Sequence, residues 1–250
     1  MAGRFDAKTA LVTGAGSGIG MAAAMALAAE GANVVVNDLD LQAARDVVEK
    51  ITEKGGSAVA SAGDVANPED VAGAVQLAVS EFGALNLAFN NAGISGPLGL
   101  LADIDLEGYR RVIDVNLNSV FYGMYYEIPQ MLQAGGGAIV NNSSILGLVG
   151  DANAVPYVTA KHGVVGMTKA AALGYAAQGI RINSVQPGYI DTPLLGNLPR
   201  EVYEGLVGLH PAGRLGTVEE VAAVVLFLLS DAAAFVTGSQ YAVDGAYTTQ

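Results

Sequence analysis

The chain contains no cysteine. Disulfides, thiolate nucleophiles and cysteine-ligated zinc or iron–sulfur sites are therefore excluded. Histidine is scarce as well, with His162 and His210 the only two. That inventory does not assemble a catalytic zinc site of the usual composition. Positive charge is in short supply: 12 lysines and arginines stand against 24 aspartates and glutamates, for a formal net charge of -12. Such a chain repels nucleic acid and anionic membranes, so neither is expected as a partner. Long apolar runs are missing too. The longest, "VAAVVLFLL" at 221–229, is too short to span a bilayer. The opening "MAGRFDAKTALVTGAG" lacks a signal-peptide layout. A soluble, cytoplasmic protein is expected.

What is present is apolar and alternating. Hydrophobic residues make up 52% of the 250 and charged residues only 14%, enough for a sizeable core in one domain. Short β-branched runs alternate with helical patterns. "TALVTG" (9–14), "ANVVVND" (32–38), "SAVASAGDV" (57–65), "ALNLAFNNAG" (84–93), "GGAIVNNSS" (136–144), "IRINSVQPG" (180–188) and "GSQYAVDGA" (238–246) read as strands. Helical patterns separate them, including a long one over 106–133 and "TVEEVAAVVLFLLSD" at 217–231. Asn67 is placed to cap the third helix, with Pro68 at its first position. Residues 192–214 show no clear period. This alternation predicts an α/β fold: a single-domain, doubly wound, Rossmann-like parallel sheet over 1–250, with helices on both faces.

"TGAGSGIG" (13–20) joins the first strand to the first helix. Glycines allow a tight turn and a close approach of the backbone to a phosphate, and the helix start offers free N–H groups to it. The generic G-x-G-x-x-G spacing fails here. The spacing that fits runs through Gly14, Gly18 and Gly20, with Ser17 and Ile19 in the same turn. Asp38 ends the second strand, where a carboxylate accepts hydrogen bonds from ribose hydroxyls and repels a 2′-phosphate. NAD is therefore expected over NADP. Further on, "YVTAK" sets Tyr157 and Lys161 four positions apart. On a helix they share one face, and an ammonium beside a phenol favours the phenolate.

With these motifs in order, the chain resembles the short-chain dehydrogenase/reductase family in its 250-residue form, along essentially its full length. The shared motifs are "TGAGSGIG", "DV" at 64–65, "NNAG" at 90–93, Asn116, "SS" at 143–144, "YVTAK" and "PGYIDT" at 187–192. The resemblance implies an NAD-dependent secondary alcohol dehydrogenase or ketoreductase. It implies a catalytic set of Asn116, Ser144, Tyr157 and Lys161. Asn116 would hold a relay water in a distorted stretch of the long helix. Ser144, thirteen residues before Tyr157, would bond the substrate oxygen, in preference to Ser143. Tyr157 would be the acid–base, and Lys161 would bind the nicotinamide ribose. Asp64 and Val65 would contact adenine. Asn90, Ala92 and Gly93 would line the crevice. Pro187, Gly188, Ile190 and Thr192 would embrace the nicotinamide. Two departures, Asn142 and Ala246, are expected not to touch the catalytic set.

Residues 193–216 are expected to form a substrate lid. Ile145, Leu146, Val155, Tyr157, Tyr189, Leu194, Leu195, Leu198 and Leu206 are candidates for an apolar pocket, which suits a small uncharged alcohol or ketone. Arg200 lies in this lid, and no fixed cation stands out to grip an acidic substrate. A 3-oxoacyl-carrier-protein reductase and a non-catalytic NAD-binding regulator are the alternatives. Apolar faces on the long helix and the YVTAK helix suggest helix pairing, and the resemblance implies a homotetramer. It also raises a divalent cation near the C-terminal carboxylate.

Overall fold

Thr9–Thr13, "TALVT", is buried at every position and forms the first strand, β1. The strands that follow are β2 (Asn33–Asp38), β3 (Ser57–Ala62), β4 (Leu87–Asn90), β5 (Gly137–Asn142), β6 (Ile180–Pro187) and β7 (Gln240–Val243). In this computed structural model, which describes residues 3–192 and 199–249, they build one seven-stranded sheet in the order β3-β2-β1-β4-β5-β6-β7. Every pairing is parallel. The helices are α1 (Gly18–Ala29), α2 (Leu41–Glu53), α3 (Pro68–Phe82), α4 (Leu106–Ile113), α5 (Ser119–Gln133), α6 (Val155–Tyr175), α7 (Arg200–Gly208) and α8 (Val218–Leu229). Both faces of a parallel sheet must be covered, which is why its strands read as continuous apolar runs. Two core clusters result: one gathers α1, α2 and α8, and the other α3, α5 and α6.

Local signals set the helix boundaries. Asn67 accepts from Glu69 N with Pro68 at the helix start, as its sequence position predicts. Asp40 caps α2 by accepting from Gln42 N at 2.8 Å. Thr217 and Glu220 form a reciprocal capping box on α8.

Two expectations are corrected and one is made specific. The distorted stretch expected at Asn116 in the helical region 106–133 is a π-helical turn at Asp114–Asn118, flanked by α4 and α5. The third strand stops at Ala62, which leaves Asp64 and Val65 in the loop beyond it. In the region without a clear period, Arg200–Gly208 is helical, because α7 is short and buries none of its residues, so its pattern is weak. Among the described residues no helix is long and apolar enough to cross a membrane.

Sheet order places the site. β1 is flanked by β2 and β4, so successive connections leave β1 in opposite directions and open a crevice at the strands' carboxyl ends.

Candidate active site

The glycine turn lies at that crevice. Gly14 and Gly18 have φ of 59° and 54°, in the left-handed region. A Cβ on Gly14 would sit 2.8 Å from Ala92 Cα, and one on Gly20 would strike the Gly14 carbonyl. Gly18 differs: its added Cβ would meet only Thr192 Cγ2, at 3.7 Å. The turn is thus tight against the protein at Gly14 and Gly20 and open at Gly18. Ser17 precedes α1 in extended backbone, and its side chain does not cap the helix. The first N–H groups of α1 therefore have no intrahelical acceptor. Asp38 Oδ2 accepts from Gly16 N at 2.8 Å and its Oδ1 from Asp40 N at 3.1 Å, so the carboxylate is fixed beside the turn with lone pairs to spare. These residues fit a dinucleotide: a cradle that side chains would fill, a helix start and an adjacent carboxylate.

Asn91, absent from the expected set, ties the turn to β4. Its Nδ2 donates to the carbonyls of Thr13 and Gly14, and its own N–H donates to Thr13 Oγ1. The doubled asparagine of "NNAG" was the available signal. The first of the pair, Asn90, is buried, and its Nδ2 donates to Glu127 Oε2 and Asn141 Oδ1. It braces the sheet from below. Asp64 is half-buried; its Oδ1 accepts from Ala66 N and its Oδ2 from Arg111 at 3.1 Å, beside half-buried Val65.

The expected catalytic residues converge on the other side of the crevice. Asn116 is fully buried in the π turn. Its Nδ2 donates to the Ile94 carbonyl at 2.7 Å, and its Oδ1 accepts from Ile94 N at 2.8 Å. A Cβ on Gly93 would lie 2.7 Å from Asn116 Oδ1 and 3.6 Å from Lys161 Nζ, so only glycine fits there. Lys161 is buried and donates to the Asn142 carbonyl at 2.8 Å. Ser144 Oγ accepts from Leu146 N and lies close enough to the Tyr157 phenol to oppose the rise in its pKa. Ser143 Oγ instead donates to the Lys161 carbonyl, which removes it from the chemistry.

Two expectations about these residues change. Asn142 does touch the catalytic set, because its main-chain oxygen holds Lys161; its side chain donates to Asn91. Ala246 keeps clear of that set, and it stands at a φ of 71°, a conformation that favours glycine. The electrostatics also differ. Burial pushes the Tyr157 phenol above its ordinary value, and only the Ser144 bond opposes this. Burial lowers Lys161 to about 8. Its Nζ sits 5.5 Å from the centre of the Tyr157 ring, and desolvation outweighs its attraction for a phenolate.

The strand-end loop "PGYIDT" closes the crevice. Pro187 ends β6, Gly188 N donates to the Val243 carbonyl, and Ile190 bridges to Gly216. Thr192 faces Gly18 across the gap. Beyond it, Ile145, Leu146 and Ala154 form a buried cluster packed by Val149, Tyr157, Val158, Tyr189 and Tyr247. Val155 and Leu206 do not join that cluster, since Val155 begins α6 and Leu206 sits on α7. Leu194, Leu195, Leu198 and the C-terminal Gln250 lie outside the described residues. Arg200 pairs with Glu204 at 2.7 Å and is strongly exposed. No cluster of metal-ligating side chains occurs among the described residues. Tyr247, packed on this cluster, and His210, beside Tyr189 and Tyr247, were not foreseen, and no sequence motif marks them.

Comparison with known proteins agrees with this geometry. A family described as Enoyl-(Acyl carrier protein) reductase matches residues 14–248. A cyclohexanol dehydrogenase of Acinetobacter sp. (strain SE19) is 60% identical over all of this chain and 98% of its own. A cis-4-hydroxycyclohexanecarboxylate dehydrogenase of Sinomonas cyclohexanicum is 46% identical, over 98% of each chain. The crystal structure of a short-chain type dehydrogenase/reductase from Mycobacterium marinum superposes with a TM-score of 0.93 at 36% identity, covering 98% of this chain and 97% of that one. Likeness of this extent in both sequence and fold makes the chain a member of the short-chain dehydrogenase/reductase family of oxidoreductases.

Proposed function

We propose that the protein is an NAD-dependent dehydrogenase that interconverts cyclic secondary alcohols, of the cyclohexanol kind, and their ketones. The convergence of Asn116, Ser144, Tyr157 and Lys161 beside the glycine turn carries this reading. The similarity to dehydrogenases named for cyclohexanol and a hydroxycyclohexane carboxylate supports the substrate class.

NAD, when bound, supplies the hydride acceptor. Gly14, Ser17, Gly18, Ile19 and Gly20 would hold its phosphates and Asp38 its ribose hydroxyls, with Asp64, Val65, Ala92, Gly93, Pro187, Gly188, Ile190 and Thr192 along the rest of the crevice. Ser144 Oγ and the Tyr157 phenol bond the alcohol oxygen and orient its carbon. Tyr157 takes the hydroxyl proton as the carbonyl forms, and in the reverse direction it returns one to the developing alkoxide. To act as a base near neutral pH the phenol must come down from above its ordinary value of about 10, which takes more than roughly 4 kcal/mol of differential stabilisation. Ser144 contributes to this in the free protein, and Lys161 contributes once its charge is held near the phenol. Asn116 keeps the π turn against Ile94, which leaves Lys161 facing Gly93 and the proton's exit. The apolar Ile145–Leu146–Ala154 cluster excludes water and prefers an uncharged ring to a carboxylate or phosphate.

Exposed Phe121 and Tyr125 stack at 6.0 Å on α5, and Leu173 is exposed on α6. These apolar faces support a homotetramer assembled by helix pairing; sedimentation as a monomer at micromolar concentration would remove that part.

The enzyme assay follows reduced-nicotinamide absorbance with cyclohexanol and NAD or NADP at mildly alkaline pH. Turnover with NAD is expected. Preference for NADP would overturn the role of Asp38 and favour a carrier-protein-linked ketone as substrate. Tight NAD binding without turnover of any alcohol would favour a binding protein.

A further inference from the structure

The turn at Asp244–Thr248 is firmly held. Asp244 is buried, and its carboxylate accepts from Ala246 N, Thr248 N and Thr248 Oγ1 at 3.1, 2.9 and 2.6 Å. Ala246 adopts a left-handed backbone within the turn, a conformation that disfavours a residue with a Cβ. The consequence is the placement of Tyr247. Its ring centre lies 5.4 Å from His210 and 6.2 Å from Tyr189, and it packs on the cluster that also receives Tyr157.

His210 connects this aromatic group to two other elements. Its Nδ1 lies 2.9 Å from the Leu206 carbonyl, an acceptor, and so carries the proton. Its Nε2 therefore accepts from Tyr189 N, at 3.2 Å. The ring is buried and stands edge-on to Tyr189 at 5.8 Å. One neutral tautomer thus ties α7, the Gly188–Tyr189 loop and the C-terminal turn together. A Cβ on Gly188 would strike Nε2 at 2.7 Å, so the loop and the imidazole are fitted to each other.

We propose that Tyr247 is a specificity-determining wall of the alcohol pocket, selecting apolar rings over short open chains, with His210 as its positioning residue. Edge-on aromatic faces present broad apolar surface with few rotamers, which suits a rigid ring better than a flexible chain. The proposal rests on the alcohol dehydrogenase reading and deepens it.

The test compares wild type, Tyr247→Ala and Tyr247→Phe with NAD on cyclohexanol and 2-butanol, alongside NAD affinity. Tyr247→Ala should lose about tenfold in kcat/KM for cyclohexanol, mostly in KM, and less for 2-butanol. Tyr247→Phe should restore the ring preference. NAD affinity within about twofold of wild type shows that the crevice is intact. An unchanged cyclohexanol to 2-butanol ratio in Tyr247→Ala overturns the proposal. If Tyr247→Ala does not fold, Tyr247→Leu takes its place with the same expectation. A wild type that oxidises only open-chain alcohols sinks the cyclic-substrate reading. Tyr247 is then judged on 2-octanol against 2-butanol, where an unchanged ratio again overturns its role. Where no alcohol is oxidised, the proteins are compared by ligand-observed NMR of cyclohexanone, and equal binding by wild type and Tyr247→Ala has the same force.

Discussion

Glu127 sits fully buried in α5, with one carboxyl oxygen accepting from Asn90 and the other, Oε1, without a partner. Burial raises its pKa from an ordinary 4.5 to about 8, against the lowering effect of the Asn90 bond. In the folded chain it keeps its proton up to about pH 8, while the unfolded chain releases it near 4.5. Folding therefore takes up a proton between these values. The stabilising contribution is complete below the lower one and is lost as pH rises through the upper. Each pH unit in that window removes about 1.4 kcal/mol, so by pH 7 the loss approaches about 3 kcal/mol as an upper figure. Glu127→Gln keeps the shape of the protonated acid and does not titrate. It should match wild type near pH 4.5 and exceed it by up to about 3 kcal/mol at pH 7, which is a rise of about 6–12 °C in Tm for a chain of this size. Thermal unfolding at fixed scan rate and protein concentration, from pH 5 to 9, measures this. A Tm difference that stays constant across the range would refute the reasoning, because only a group titrating differently in the two states makes the difference depend on pH.

Other outcomes are equally specific. Tyr157→Phe removes the proton acceptor and should lower kcat by about 10²–10⁴-fold while NAD binding, measured by calorimetry, stays close to wild type. Asp38→Ser removes the carboxylate fixed by Gly16 N; NAD should bind about tenfold more weakly and the NAD to NADP preference should shrink, as paired titrations would show. Gly93→Ala pushes a methyl to 2.7 Å from Asn116 Oδ1. It should cost about 1–3 kcal/mol in denaturant unfolding and reduce turnover as the π turn shifts.

How much of this was legible in the chain depends on the range of the interactions. The parallel sheet could be read because its central strands are buried on both faces and so written as apolar runs, and because Asn67–Pro68 and the glycine turn punctuate locally. The break in 106–133 was legible only through the resemblance, which implies a distorted stretch at Asn116, and not from the local pattern. A π turn differs from an α-helix in bonding each carbonyl to the N–H five residues on instead of four, and here it is accompanied by Asn116 meeting Ile94, 22 residues away in sequence.

The candidate catalytic residues could be named from the resemblance, which Tyr157 and Lys161, one helical turn apart, and Ser144, at a set distance before them, help to carry. Their protonation was not legible there. A lysine four positions from a tyrosine suggests a lowered phenol pKa, yet in the folded chain the same burial that collects the residues raises Tyr157 and lowers Lys161. Asn142 shows a similar limit: its side chain departs from the family pattern, but it is its main-chain oxygen, which any residue carries, that holds Lys161.

Sequence alone thus determined the fold class, through apolar periodicity, and the family, through ordered motifs whose resemblance also named the candidate side chains. Only the tertiary structure decided which groups are desolvated and which distant ones meet. Glu127 became a buried acid under Asn90, and Tyr247 became a wall beside Tyr189 and His210. Burial and contact between remote segments arise when the whole sheet closes, and no local pattern records them.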